Sequence, residues 1–220
     1  IIENLEGPAI SLSQLIVDKL NIVGVIPIKG FSTNFEGKNL LVESIKYLKS
    51  CKLVSEIFVS TDNKETAKIA EENGASAPFI RPIELSAENV GLPDVLKYTV
   101  EEIEKIRKID LVVVIEENYP FRPEGLLTKL INNIIEGGYD TVCASIIEQR
   151  SIWLDAPQGI HAIGDSLMGS RSTKTEKIHI NLFGLGAVTY VDNIRKKKIL
   201  TNKVGLSPVP NYPYSFQINK

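Results

Sequence analysis

From Ile22 to Ile28 the chain is almost continuously apolar, the pattern of a strand covered on both faces. The period then changes: Leu41, Ile45 and Leu48 recur along one face of a helix that Asn39 can cap and that runs to about Ser50. Residues 56–60 form a short strand, and Asp62 is placed to cap a second helix reaching Asn73, where Gly74 stops it. Pro93 and Asp94 open a third helix with Leu96, Val100 and Ile103 on one side. The run 111–115, Leu-Val-Val-Val-Ile, predicts the most deeply buried strand. Pro120 and Pro123 turn the chain into a helix over about 124–136, ended by Gly137 and Gly138, and 141–145 is one more strand.

Strands alternating with helices predict an α/β fold: an open, mostly parallel sheet with helices on both faces and right-handed crossovers. Ligands of such sheets bind outside the carboxyl ends of the strands, which here carry the loops at Lys29, Thr61 and Glu116. Beyond Ser145 the rhythm breaks. Residues 149–177 are polar, with short apolar runs among Gly and Ser, and read as a protruding hairpin or insertion; strand-like segments return at 178–183 and 186–191. The basic run Arg195-Lys196-Lys197-Lys198 reads as a solvated face before it reads as a phosphate patch.

Composition narrows the picture. With 220 residues, 43% of them hydrophobic, the chain can bury the core of one domain and has no room for a second. We take 21–220 as that domain and 1–20 as an N-terminal extension of unassigned role. The net charge of -2 supplies no overall field for nucleic acid or an anionic membrane, so a bound anion must be held locally. Two cysteines, Cys51 and Cys143, make no disulfide framework, and a reduced cytoplasmic setting is expected. No apolar run approaches the ~20 residues that span a bilayer, and the opening residues lack the order of a signal peptide.

Candidate chemistry concentrates after the first strand. Lys29-Gly30-Phe31-Ser32-Thr33 leads by way of Gly37-Lys38-Asn39 into a helix, a glycine-containing loop with lysines at both ends. Main-chain N–H groups at such a turn point outward and glycine permits close approach, so a nucleotide is the first ligand to consider. The Gly-x-Gly-x-x-Gly of dinucleotide binding, the Gly-Lys-Ser/Thr of P-loops and the Gly-x-Ser-x-Gly elbow of hydrolases are all missing. His161 and His179 have no cysteine or acidic spacing suggestive of zinc and read as structural. Trp153 reads either as an interface anchor or as a local core plug.

Three segments are more specific: Phe58-Val59-Ser60-Thr61-Asp62, Ile69-Ala70-Glu71-Glu72-Asn73-Gly74-Ala75, and Pro78-Phe79-Ile80-Arg81-Pro82 with Glu84-Leu85. With these the chain resembles, over about 22–145, the CMP-sugar synthetases, the cytidylyltransferases of sialic-acid-like and other keto-deoxy sugars. The resemblance implies a nucleotidyltransferase fold, CTP as donor, an acidic sugar as acceptor, Mg2+ or Mn2+, pyrophosphate as by-product, and a homodimer for which 149–177 would be the dimerisation element. It also implies roles. Lys29 and Lys38 would be the catalytic cations, Gly30 and Ser32 would hold triphosphate, and Asn39 with Arg81 would contact ribose and cytosine. Glu116, a glutamine in the family, would ligate metal or read an amino group on the base. Arg122 and Arg171 would meet the sugar, and Gln217 and Asn219 stand where the family has the metal-binding Asp-Ile-Asp.

The same alignment shows departures. Lys29 replaces arginine, Phe31 glycine, Thr33 lysine and Gly37 arginine, while Gly30, Ser32, Lys38 and Asn39 are kept. Lysine retains charge but loses the bidentate fork that grips phosphate. The alternative is therefore a catalytically impaired homologue that binds a nucleotide or nucleotide sugar, or serves as an assembly or regulatory partner. Taken without the family, Lys38-Asn39 is a solvated lysine before an N-cap, Arg81 a surface arginine in an extended X-Pro step, and Glu116 and Glu117 solvent-facing loop acids.

Overall fold

The computed structural model describes residues 16–17, 19–163, 177–201 and 203–218. The extension 1–20 therefore lies mostly outside the described residues, as do Arg171 and Asn219. Strand β1 (Ile22–Ile28) passes through a miniature hairpin, β2 (Asn34–Phe35) and β3 (Lys38–Asn39), into α1 (Leu40–Ser50). Next come β4 (Glu56–Thr61), α2 (Lys64–Glu72), a 3-10 turn at Ile83–Ser86, α3 (Leu92–Glu104), β5 (Leu111–Val114) and α4 (Leu126–Gly137). β6 (Thr141–Glu148) runs out into an arm, β7 (Ile152–Ala156) and β8 (Gly159–Ile163). The chain returns as β9 (Ile178–Asn181), β10 (Ala187–Tyr190), α5 (Val191–Arg195) and β11 (Val204–Pro208).

The main sheet has the order β11-β6-β10-β5-β1-β4, with β9 also on β6. β1 is parallel to β4 and β5, and β11 to β6, whereas β10 runs antiparallel between β5 and β6. The sheet is thus mostly parallel, and its two faces explain the apolar runs. Val23, Val25, Phe58, Val112 and Val114 face Leu96, Val100 and Ile103 of α3 and Ile194 of α5. Ile22, Ile26, Val59 and Val113 face α1, α2 and α4 on the other side. Each fully buried aliphatic side chain contributes about 1.5–3 kcal/mol, so both faces must be covered. Gly24 has a packing reason: a Cβ there would lie 3.0 Å from the Leu48 methyls, so glycine lets α1 seat against β1.

Several local expectations change. The chain after β1 turns back on itself, with Asn34 paired to Asn39, and Glu36 (φ 48°) and Gly37 (φ 75°) form the tight turn. Asn39 does cap α1, accepting the Val42 N–H. Asp62 does not cap α2: Asn63 accepts from Glu65 and Thr66, while the Asp62 carboxylate binds the Gly30 N–H at 2.7 Å. Helix α4 begins at Leu126, after Gly125 in the left-handed region, not at Glu124. The basic run is solvated and paired, Arg195 with Glu104 and Asp192 and Lys197 with Asp94.

The arm's two strands pair with each other in a sheet of their own, and the rest of the 149–177 insertion, 164–176, lies outside the described residues. Trp153 is 57% exposed there, which rules out the local core plug. Cys51 and Cys143 are buried, and burial pushes the Cys143 thiol up to about 12, so it is no nucleophile. Among the described residues no helix is long and apolar enough to cross a membrane.

Candidate functional site

At the carboxyl ends of β1, β4 and β5 a cleft of about 620 Å3 opens. One wall is apolar, with Leu85, Val90, Leu92 and Val95 coming from the 3-10 turn and the start of α3. The other is polar, carrying Lys29, Arg81, Glu116, Glu117 and Asn118. The C-terminal segment closes one end: Ile218 lines the cleft and its N–H donates to the Asn118 carbonyl at 2.8 Å. That segment is anchored by an aromatic cluster in which Phe216 packs on Phe35 and Phe121.

The loop after β1 is pinned by two carboxylates from neighbouring strand ends. Asp62, after β4, accepts the Gly30 N–H, and Thr66 donates its hydroxyl to the Gly30 carbonyl at 2.8 Å. Burial pushes the Asp62 carboxyl up, but bonds from Ser86 and Gly30 and the Arg81 charge outweigh it, leaving it below the ordinary carboxylate range. Glu117, after β5, accepts the Ser32 hydroxyl at 2.7 Å and the Thr33 N–H and hydroxyl at 3.3 Å each. Only 4% exposed, Glu117 is not the solvent-facing loop acid expected. The first turn of α1 is likewise occupied, Leu41 N–H by Ser32 Oγ and Val42 N–H by Asn39 Oδ1.

Arg81 is not a surface residue. It is 3% exposed, and its guanidinium donates to the Ile28 and Ser60 carbonyls and to Ser86 Oγ, stitching β1, β4 and the 3-10 turn together. Burial lowers its pKa, and Asp62 supplies the opposing charge. Glu116 lines the cleft half-buried, and burial raises its carboxyl above the usual value despite the opposing Arg122 charge and a bond from Asn118. Arg122 lies outside the cleft lining. Its guanidinium donates to the Leu185 and Glu116 carbonyls and sits 5.4 Å from the Tyr47 ring centre, and burial pulls it down to about 10.

Of the residues chosen from sequence, the fold brings Lys29, Arg81 and Glu116 into the cleft and hangs Gly30, Ser32 and Asn39 on the same hydrogen-bonded loop. Lys38 is exposed on β3, beyond the lining, and Gln217 is exposed next to Ile218. Phe31, 65% exposed, does not plug the cleft. Asp62, Ser86, Glu117 and Asn118 were not singled out as site residues. Asp62 carried a signal in the Ser60-Thr61-Asp62 motif; Glu117, the second of two acids after a buried strand, has nothing local that tells it from a solvated loop residue. Among the described residues no group of three or more His, Cys, Asp or Glu could hold a metal.

Comparison with known proteins bears on the family and the fold. Residues 32–174 match the cytidylyltransferase family model. The CMP-N,N'-diacetyllegionaminic acid synthase of Legionella pneumophila subsp. pneumophila is 26% identical over 146 residues, 61% of this chain and 62% of that protein. The match thus spans about three-fifths of the relative's length. Two solved structures share the fold. One is a 4-diphosphocytidyl-2C-methyl-D-erythritol synthase from Anaerococcus prevotii, with a TM-score of 0.66, 13% identity and coverage of 93% of this chain and 92% of that one. The other is a CMP:2-keto-3-deoxy-manno-octonic acid synthetase in complex with CTP, with a TM-score of 0.59, 11% identity and coverage of 86% and 90%.

Proposed function

The chain belongs to the cytidylyltransferase family, and from that premise we propose that it transfers the cytidylyl group of CTP to a hydroxyl of a sialic-acid-like, nonulosonic or keto-deoxy sugar. The sugar oxygen bonds to the α-phosphorus as the bond to the pyrophosphate oxygen breaks, and the hydroxyl proton is released. Such a reaction depends on positioning and on stabilising phosphate charge. The observation that carries this reading is the cleft, where Lys29 offers a cation at the loop and the wall of Leu85, Val90 and Leu92 offers an apolar face to a base. Gly30, Ser32 and Lys38 are the further phosphate candidates, and Asn39 and Arg81 the candidates for ribose and cytosine. Arg122 and Arg171 are the candidates for the sugar.

Magnesium or manganese fits sparsely. Among the described residues the buried Oδ1 of Asn118 has no hydrogen-bond partner at the cleft end that Ile218 closes, and Glu116 adds a carboxylate to the lining. These, with the amide oxygens of Gln217 and Asn219, would hold a cation carried chiefly by the triphosphate, as magnesium permits. When bound it neutralises phosphate charge. The arm exposes Trp153, Leu154 and Ile160, which supports a homodimer formed there. Two buried, unpaired cysteines accord with a cytoplasmic setting.

The test is pyrophosphate release from CTP and magnesium with a panel of nonulosonic and keto-deoxy acids. Turnover is expected with at least one acceptor and should fall by about 10²–10³ in Lys29→Ala. No turnover with any acceptor overturns the reading and leaves the impaired homologue. That second reading is favoured by one observation, that Gly30 N–H, Ser32 hydroxyl and Thr33 N–H are already engaged by carboxylates. A rise in melting temperature with CTP would then separate a binder from a scaffold.

A further inference from the structure

The loop after β1 offers three donors of the kind an anion needs: the hydroxyl of Ser32 and the N–H and hydroxyl of Thr33. All three are directed at one carboxylate, Glu117, at 2.7, 3.3 and 3.3 Å. The contact is not a local turn, because Glu117 follows β5, 84 and 85 residues away in the chain. Ser32 also ties this carboxylate to α1, since its Oγ accepts the Leu41 N–H at 3.3 Å and has Asn39 Oδ1, at 3.0 Å, as a second and longer acceptor for its proton. A buried carboxylate therefore sits where the loop and the positive end of a helix would otherwise receive an external anion.

This arrangement has two consequences for any polyphosphate. The Ser32 hydroxyl has one proton, and while Glu117 holds it no phosphate oxygen can. A carboxylate within a few ångströms of a phosphate also repels it, and part-buried surroundings strengthen that repulsion. We propose that Glu117 is a resident occupant of the polyphosphate loop, displaced when the external anion binds, so that this side chain sets the loop's affinity. The proposal rests on reading the cleft as a nucleotide site and adds how that site is gated.

The experiment titrates inorganic tripolyphosphate, with EDTA present, into the natural chain and into Glu117→Gln and Glu117→Asp, read by calorimetry, with melting temperature as the check on folding. Glu117→Gln keeps the shape and removes the charge, and at least about tenfold tighter binding is expected. Glu117→Asp withdraws the carboxylate by one methylene and should give a smaller gain in the same direction, which keeps the test open if the glutamine variant does not fold. Equal or weaker binding in the folded variants, or no binding in any chain, overturns the proposal. Pyrophosphate release from CTP is followed alongside. Tighter tripolyphosphate binding without turnover breaks the functional reading alone, and turnover with unchanged affinities breaks this inference alone.

Discussion

Arg81 and Arg122 do the same job in two regions of the sheet edge, and the difference between them separates the cleft from its foundations. Each places a guanidinium against carbonyl oxygens at strand ends, Arg81 against Ile28 and Ser60 and Arg122 against Glu116 and Leu185. Burial lowers the pKa of both. Arg81, however, lines the cleft, and its opposing charge is Asp62, which holds the Gly30 N–H of the loop. Arg122 lies off the cleft, reaches Ser44 of α1 and packs on the Tyr47 ring. One arginine thus couples the sheet to the ligand loop, and the other couples the sheet to a helix.

The sharpest way to break this contrast is to remove Arg81. Arg81→Met would leave the Ile28 and Ser60 carbonyls without their donor in a buried place and remove the charge that faces the part-solvated Asp62 carboxylate. The expected loss is about 3–5 kcal/mol in urea denaturation, with weakened CTP binding in whatever folds. A loss below about 1 kcal/mol would mean that water replaces the guanidinium and that Arg81 is no staple.

Arg122→Met should cost less, about 1–3 kcal/mol, because its partners are mainly neutral carbonyls and the ring of Tyr47 can pack on a thioether as well. Its CTP affinity should match that of the natural chain in calorimetry. If Arg122→Met weakened CTP binding more than Arg81→Met did, the division would be reversed.

The two regions also differ in how far they can be read from the chain. The apolar runs 22–28 and 111–115, the cap at Asn39 and the stop at Gly74 are local signals, and the strands and helices they mark are present. The wedge of β10 between β5 and β6 depends on pairing with residues 44–48 and 73–79 positions away, and nothing in its own four residues declares the partners. The hairpin at 34–39 is too short for a periodic pattern and puts Glu36 as well as Gly37 at a positive φ. Site residues failed for the same reason. Asp62 looks like a cap until Gly30, 32 residues earlier, claims its carboxylate, and Glu117 looks solvated until Ser32 and Thr33 bury it. The motif around Arg81 pointed to the cleft but gave no sign that its guanidinium is spent on strand ends.

The smallest effect tests the link by which Arg81 reaches the loop. Asp62→Asn keeps an oxygen for the Gly30 N–H and removes the charge facing Arg81. The folded Asp62 carboxyl titrates below its ordinary value of 3.8, so its contribution to stability is fully present above that value and is lost as the pH falls through the lower folded one. The natural chain should therefore lose stability more steeply than Asp62→Asn as the pH drops from about 5 towards 2. At neutral pH the variant should be weaker by no more than about 1 kcal/mol, because much of this carboxyl remains solvated and screened. Parallel acid limbs in the two chains would show that the Asp62 charge does not bear on folding. The connection from Arg81 to Gly30 would then be a matter of hydrogen-bond shape, and Arg81 would differ from Arg122 only in where it sits.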